Sequence, residues 1–149
     1  MHLMIDIETL DTRPSAVIMQ IGAVAFDKDS GVSDAWHFNR HVEMESQVRD
    51  DGRTIAIETL AWWSTQPGFS DLLQGDERKS DLACALDDLR VSVKDKSFET
   101  IWANGPHFDM IILEHAMNHY RVDLPWDFRK FRDFRTLNKL AGFGKADRI

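Results

Sequence analysis

Residues 3–10, Leu-Met-Ile-Asp-Ile-Glu-Thr-Leu, form the segment around which the rest of the chain is organised. Aliphatic and acidic residues alternate here, which predicts a β-strand with its odd-numbered aliphatic side chains on one face. Asp6 and Glu8 then stand side by side on the opposite face. Neighbouring carboxylates on a strand repel each other unless a positive group lies between them, and a divalent metal ion is the obvious candidate. A solvent-facing strand at an exposed sheet edge is the alternative interpretation.

Length and composition predict one compact domain. The chain has 149 residues, of which 43% are hydrophobic and 10% aromatic, and this is enough to form a core. The single cysteine, Cys84, excludes an intramolecular disulfide. The sequence carries neither a recognisable signal peptide nor an apolar run long enough to span a membrane, so we expect a cytoplasmic protein without a membrane partner.

Charge is distributed unevenly along the chain. The net charge of -7 argues against a protein that coats nucleic acid. Residues 121–149, however, contain eight Lys or Arg and four Asp, a net charge of +4, which leaves -11 for residues 1–120. An acidic body with a basic C-terminal region suits a protein that binds a few phosphates near a metal centre. Charges scattered by chance over a solvated surface are the simpler explanation.

Two further strands are predicted after the first one. Residues 16–26 form a nearly unbroken apolar run, and residues 35–42 alternate aromatic with polar side chains. The turn at residues 27–31 is so short that it must join an antiparallel pair. His37 and His41 share one face of the third strand, where we interpret them as half-exposed residues and not as a metal pair.

The middle of the chain predicts a loop and two helices. Residues 43–53 are polar and charged, which indicates a surface loop. A helix over residues 55–66 follows, and one of its faces carries Ile57, Leu60 and Ala61. A second helix is predicted from Ser80, a candidate cap, onwards. Its buried stripe comprises Leu82, Ala85, Leu86, Leu89 and Val93.

Adjacent tryptophans, Trp62 and Trp63, lie near the end of the first of these helices. Neighbouring side chains on a helix point in different directions, so one can enter the core while the other forms the wall of a base-binding cleft. Trp63 is our candidate for that wall, although either residue suits it. Core packing of both tryptophans is the alternative.

A short strand over residues 100–103 and a helix over residues 108–120 are predicted next. The Asn-Gly-Pro turn between them places Asp109 in the first helical turn, at the rim of the sheet. An acid that only interacts with the helix dipole is the alternative role for this residue. His115 and His119, on the same helix, are interpreted as surface or satisfied histidines.

Four motifs in this order resemble the DEDD superfamily of 3'-5' exonucleases. They are Asp6-x-Glu8-Thr9-Leu10, Thr59-x-x-Trp62-Trp63, Asn104-Gly105-x-x-Phe108-Asp109 and Arg132-Asp133-Phe134-Arg135-Thr136-Leu137. The resemblance covers nearly the whole chain. It is greatest to the phage and bacterial branch described as exoribonuclease-like or exonuclease VIII-like.

The resemblance implies an α/β chain with an RNase H-like fold, in which helices flank a mixed central sheet whose first three strands are antiparallel. It also implies a single exonuclease-like domain over residues 1–149, shortened at its C-terminus. The implied function is a hydrolase that removes nucleotides from the 3' end of RNA or single-stranded DNA. Its cofactors are two Mg²⁺ or Mn²⁺ ions, which align a water for in-line attack.

Residue roles follow from the same resemblance. Asp6 bridges both metal ions, Glu8 helps to hold the first ion and orients the attacking water, and Asp109 serves the second ion. The substrate-binding candidates are Thr9, Leu10, Trp63, Asn104, Phe108, Arg132 and Arg135. Phosphate contacts are expected from one or more of Arg129, Lys130, Arg132 and Arg135.

The chain departs from the family in its last motif, a His-x-x-x-x-Asp segment that supplies a fourth carboxylate and the general base. No histidine follows His119, and we assign the missing roles neither to Asp133 nor to Asp147. We therefore expect this form to bind one metal ion better than two and to hydrolyse slowly or not at all. The alternative function is a catalytically weak relative that binds a nucleotide, nucleic acid or a protein partner. An apolar strip exposed without the last helix would favour a homo-oligomer.

Overall fold

Five strands and six α-helices form the part of the chain that the structure, a computed structural model, describes: residues 1–74 and 79–142. The strands are β1 (His2–Thr9), β2 (Ile18–Asp27), β3 (Gly31–His41), β4 (Ile101–Ala103) and β5 (Phe131–Asp133). The helices are α1 (Glu45–Arg49), α2 (Ile57–Trp63), α3 (Phe69–Gln74), α4 (Leu82–Lys94), α5 (Pro106–His119) and α6 (Phe134–Leu140). Lys145, Asp147 and Arg148 of the basic C-terminal region lie outside the described residues.

The strands form one sheet in the order β3-β2-β1-β4-β5. β1 pairs antiparallel with β2, and β2 pairs antiparallel with β3, as predicted from the short turn between them. β4 lies parallel to β1, and β5 lies parallel to β4. The predicted mixed sheet with three leading antiparallel strands is therefore confirmed, and β1 is its central strand.

The alternation in β1 sorts its side chains as the sequence predicted. Leu3, Ile5 and Ile7 are buried, and α4 and α5 cover this face of the sheet with their own apolar stripes. Every predicted stripe residue of α4 is buried, although the cap is Asp81, whose carboxylate accepts the N–H of Cys84 at 2.9 Å. The predicted cap was wrong because the backbone of Ser80 pairs with the end of β3 instead.

A second apolar cluster lies beyond the end of β1. It contains Leu10, Val17, Met19 and Trp63, against which α3 packs. Helix α3 was not among the predicted helices. Among the described residues, no helix is long and apolar enough to cross a membrane.

Helix α2 is shorter than predicted and turns its aliphatic face outward. Ile57 is 80% exposed, and Leu60 and Ala61 are also exposed. Trp63 is the buried residue of this short helix. A single aromatic side chain, and not a helical stripe of apolar residues, therefore packs α2 against the rest of the domain.

The predicted surface loop over residues 43–53 was wrong in two respects, because it contains α1 and buries two polar side chains. The amide of Gln47 accepts the N–H of Ile18 at 2.9 Å and donates to the carbonyl of Ile18 at 2.8 Å. The guanidinium of Arg53 donates to the carbonyl of Ala16 at 2.8 Å. These side chains supply the hydrogen bonds that a neighbouring strand would otherwise give to the start of β2.

Candidate active site

The end of β1 meets the beginning of α5 at one edge of the sheet. β4 runs parallel to β1, and the chain leaves β4 through Asn104 and Gly105 before α5 begins at Pro106. Gly105 has φ +110°, a left-handed conformation that side-chain-bearing residues rarely adopt. This turn aims the first helical turn back at β1, where the Asp109 carboxylate accepts the N–H of Ile7 at 3.2 Å.

Three carboxylates converge at this edge. Asp6 is open to solvent on one side, Glu8 is half-buried, and Asp109 is only 3% exposed. Burial, followed by the charges of Asp6 and Asp109, raises the pKa of Glu8 to about 7. Burial and the charge of Asp6 raise the pKa of Asp109 to about 6, against the opposing effects of backbone hydrogen bonds and Arg135. Burial by the surrounding atoms also raises the pKa of Asp6.

Two of these carboxylates have no partner, in the part of the chain that the structure describes, that offsets their charge. Within the described residues, the side chains of Asp6 and Glu8 neither accept a hydrogen bond nor form an ion pair. Three mutually repelling carboxylates offer the hard oxygen donors that Mg²⁺ and Mn²⁺ prefer, so the chemistry of the donor set fits such an ion. In residues 1–74 and 79–142, however, no three His, Cys, Asp or Glu side chains already stand in an ion-binding arrangement. Binding would therefore require side-chain rotation at Asp6, Glu8 or Asp109.

A cleft of about 360 Å³ opens beside the carboxylates. Its walls come from the end of β1, the loop that follows, α2 and the first turn of α5. The lining residues are Ile7, Glu8, Thr9, Asp11, Thr12, Glu58, Thr59, Trp62, Trp63 and Phe108. Of the predicted substrate-binding residues, Thr9, Trp63 and Phe108 line this cleft. Leu10 does not line it, because its side chain packs in the second apolar cluster and borders a neighbouring groove.

The two tryptophans divide their roles. Trp63 is 8% exposed, its indole N–H donates to the carbonyl of Thr9 at 2.8 Å, and its ring stacks on Phe69 at 5.4 Å. Trp62 is 55% exposed and meets Trp63 edge-on at 4.8 Å. The ring with a free face toward the cleft is therefore Trp62. Glu58 also lines the cleft but was not among the predicted site residues, although its spacing of four residues from Trp62 places both on one helical face.

The loop after β1 is fixed by Asp11. Its carboxylate accepts the N–H groups of Thr12 at 2.7 Å and of Arg13 at 3.2 Å, and it forms an ion pair with the Arg13 side chain. The hydroxyl of Thr9 donates to the Asp11 carbonyl at 2.7 Å. Burial acts to raise the pKa of Asp11, but the hydrogen bonds from Arg13, Thr54 and Thr12 outweigh it and hold the pKa far below its usual range.

One basic side chain of residues 129–135, the basic segment, acts on the carboxylates through its charge: Arg135, which lowers the pKa of Asp109. The Arg135 guanidinium donates to the carbonyl of Asn104 at 2.8 Å, beside the beginning of α5. Arg132 instead donates to the carbonyls of Arg129 and Phe131, away from the cleft lining. Asp133 caps α6 by accepting the N–H of Arg135 at 3.0 Å.

Comparisons with known proteins agree with this architecture. The family model described as 3'-5' exoribonuclease Rv2179c-like domain matches residues 1–148. Two crystal structures of E. coli Exonuclease I, with a dT13 and a 5cy-dA13 oligonucleotide, superpose with TM-scores of 0.69 and 0.70 at 14% sequence identity. Each likeness covers 99% of this chain but 31% of Exonuclease I, so this chain spans about a third of that protein's length. The likeness establishes the fold and confirms the predicted RNase H-like architecture. A comparison with curated proteins found no match.

Proposed function

Because the chain belongs to the 3'-5' exoribonuclease Rv2179c-like domain family, a DEDD-type exonuclease family, we propose that it is a metal-dependent 3'-5' exonuclease. Its substrate is the 3' end of RNA or single-stranded DNA, and its reaction is hydrolysis of the terminal phosphodiester bond. The Thr59-x-x-Trp62-Trp63 helix and the block over residues 132–137 favour the phage and bacterial exonuclease VIII-like branch, acting in the cytoplasm as a single domain.

One observation carries this proposal: the charges of Asp6, Glu8 and Asp109 act on one another beside the cleft that Glu8 lines, although Asp109 lies about a hundred residues further along the chain. Burying like charges together destabilises the fold, and such clusters occur mainly where function requires them. The raised pKa values of these groups reflect that cost. A cation held between the carboxylates would remove it.

In this proposal, Asp6, Glu8 and Asp109 hold the metal ions. When bound, Mg²⁺ or Mn²⁺ polarises the phosphoryl oxygens and lowers the pKa of the attacking water. The hydrogen bond from Ile7 fixes one oxygen of Asp109, which leaves the other oxygen available as a ligand. Glu8, with its longer side chain, is the residue best able to rotate towards an ion.

The cleft residues position the terminal nucleotide. Trp62 offers an exposed aromatic face on which a base can stack without sequence preference. The indole N–H of Trp63 donates to the carbonyl of Thr9 and thereby fixes the end of β1. Phe108 closes the side of the cleft next to Asp109.

A second candidate function is a weakly catalytic relative that still binds a 3' end or a nucleotide. The observation that favours it is the arrangement of the carboxylates, which among the described residues do not stand as a ready ion site. Three carboxylates offset the repulsion between two divalent ions less well than four do. We therefore expect this chain to take up one ion more tightly than a second, a stoichiometry that Mn²⁺ titration by calorimetry measures.

Metal-dependent digestion separates the two functions. Single-stranded RNA and DNA oligonucleotides with a 5' label are incubated with Mg²⁺ or Mn²⁺, and the products are resolved by length. Stepwise shortening that disappears with EDTA and with Asp6→Asn supports the exonuclease. If the oligonucleotides stay intact while binding persists, the weakly catalytic relative is the correct reading. Equal digestion by wild type and Asp6→Asn would mean that the activity belongs to a contaminant.

A further inference from the structure

Four basic residues precede or begin α6, and three of them have partners elsewhere. The ammonium of Lys130 donates to the carbonyl of Phe98 at 2.7 Å. Arg129 pairs with Asp127 and lies over the ring of Phe128 at 4.7 Å. Arg132 donates to two carbonyls of its own segment, at 2.9 and 2.7 Å. None of these contacts faces the carboxylates.

Arg135 differs because its guanidinium lies at the beginning of α5. It donates to the carbonyl of Asn104 at 2.8 Å, and its positive charge acts on Asp109. A Cβ at Gly105 would lie 3.4 Å from the Nη2 atom of Arg135, which is ordinary van der Waals contact, so the guanidinium lies directly over this glycine. Arg135 is thus held beside the acidic site by a hydrogen bond from its side chain to the backbone of Asn104.

The backbone around Arg135 is also held in position. Asp133 pairs with Ala103 of β4 and caps α6 through the N–H of Arg135 and the hydroxyl of Thr136, at 3.0 and 2.6 Å. The contact to Asn104 is the one hydrogen bond that the guanidinium makes within the described residues, and the side chain is exposed. A guanidinium has five N–H donors in a planar fork, so several donors stay available to a ligand.

We propose that Arg135 binds a backbone phosphate of the strand that lies in the cleft. This inference rests on the proposed function and names the residue that reconciles an acidic site with an anionic substrate. A phosphate that approaches Asp6, Glu8 and Asp109 is repelled by them, and a guanidinium at the rim offsets that repulsion. The remaining N–H donors match phosphate oxygens in pairs, which Lys cannot reproduce.

A purely structural role for Arg135 makes a different prediction. In that case its task is to tie α6 to the turn at Asn104 and Gly105, and any side chain that donates to the Asn104 carbonyl would suffice. Arg135→Gln retains an amide donor for that carbonyl but removes the charge. Lys139→Gln removes the same charge one helical turn later on the same helix, at an exposed position, and is the matched control.

The experiment measures binding without turnover. Fluorescence anisotropy follows a 5'-labelled oligo(dT) and a 5'-labelled oligo(rU) in EDTA over a range of salt concentrations, for wild type, Arg135→Gln, Arg135→Lys and Lys139→Gln. We expect Arg135→Gln to weaken binding roughly tenfold at low salt. The slope of log K against log salt should fall by about 0.7, the value for one lost contact to a single strand. Lys139→Gln should match wild type, and the affinity of Arg135→Lys should fall between those of wild type and Arg135→Gln.

Wild-type affinity and salt slope in Arg135→Gln overturn the proposal, and so does a wild-type chain that shows no binding in EDTA. Unfolding midpoints of the four proteins separate a binding defect from a folding defect, and Arg135→Lys keeps the test valid if Arg135→Gln is unstable. The outcome is distinct from failure of the proposed function. If the wild-type chain digests oligonucleotides and Arg135→Gln binds them as wild type does, this inference alone is refuted. If binding depends on Arg135 but no digestion occurs, the exonuclease activity alone is refuted.

Discussion

Near the end of β1, Asp11 and the cluster of Asp6, Glu8 and Asp109 are acidic side chains whose pKa values shift in opposite directions. Asp11 is 2% exposed, yet backbone N–H groups and Arg13 satisfy its carboxylate and lower its pKa. Glu8 and Asp109 are also wholly or partly buried, but they face each other and Asp6, and their pKa values are raised. Burial alone therefore does not decide whether the pKa of a carboxylate rises or falls. The groups around a buried carboxylate decide whether it stabilises the fold or is suited to bind a positive ligand.

Removing one of the mutually repelling carboxylates should have its largest effect on catalysis. Glu8→Gln removes one of the repelling charges and one donor for the metal ions, so we expect hydrolysis to fall by at least roughly 100-fold. The same change should leave the unfolding midpoint of the metal-free chain unchanged or raise it, because the repulsion decreases. Digestion rates and thermal unfolding in EDTA test both parts. A clear loss of stability in EDTA would show that Glu8 has a structural partner.

Asp11→Asn should have the opposite profile. It leaves Arg13 without its buried partner and weakens the hydrogen bonds of the loop, so we expect a loss of about 2–3 kcal/mol in the free energy of unfolding. Denaturant unfolding measures this loss. Asp127→Asn, at an exposed acid that also pairs with an arginine, is the matched control and should show no measurable change. Equal stability of both variants would refute the assignment of Asp11 as a structural acid.

The pH dependence of stability sharpens the same contrast. The folded-state pKa of Asp11 lies below the unfolded-state value of about 3.9, so its contribution is fully present above about pH 5. As the pH falls towards the folded-state pKa, the unfolded chain takes up the proton first and the contribution is lost. The stability difference between wild type and Asp11→Asn should therefore shrink below about pH 4. A difference that is constant from pH 7 to about pH 3 would contradict this sign.

The smallest expected effects separate the two tryptophans. Trp63→Phe loses the hydrogen bond to Thr9 and should cost about 1 kcal/mol of stability. Trp62→Phe keeps an exposed aromatic ring and should change neither stability nor binding noticeably, whereas Trp62→Ala should weaken oligonucleotide binding by roughly fivefold or more. Unfolding and anisotropy measurements distinguish the three variants. Binding that tolerates Trp62→Ala would remove Trp62 from the cleft's base-stacking role.

Much of the sheet could be predicted because strand periodicity is local. The alternation in residues 3–10 placed Asp6 and Glu8 on one face, and the short turn after β2 required an antiparallel partner. The Asn-Gly-Pro turn also located Asp109 at the sheet edge. Each of these signals lies within a few residues of the feature that it predicts.

The rest depends on contacts between distant residues. The burial of Gln47 follows from an unpaired edge at Ile18, which no local pattern announces. Trp63 was predicted as the wall of a base-binding cleft, but its hydrogen bond to the Thr9 carbonyl, which fixes the end of β1, could not be predicted. The contact between Arg135 and Asn104 joins segments about thirty residues apart through a glycine whose φ the sequence does not reveal.

The amide of Gln47 has a further consequence for motion. It carries the same donor and acceptor as a peptide group, so Ile18 is bonded as if one more strand lay beside it. The amide proton of Ile18 can therefore exchange with solvent only when the segment around α1 lifts away, without the sheet coming apart. Hydrogen exchange at this single amide would report how often the segment around α1 opens locally, on a timescale separate from that of global unfolding.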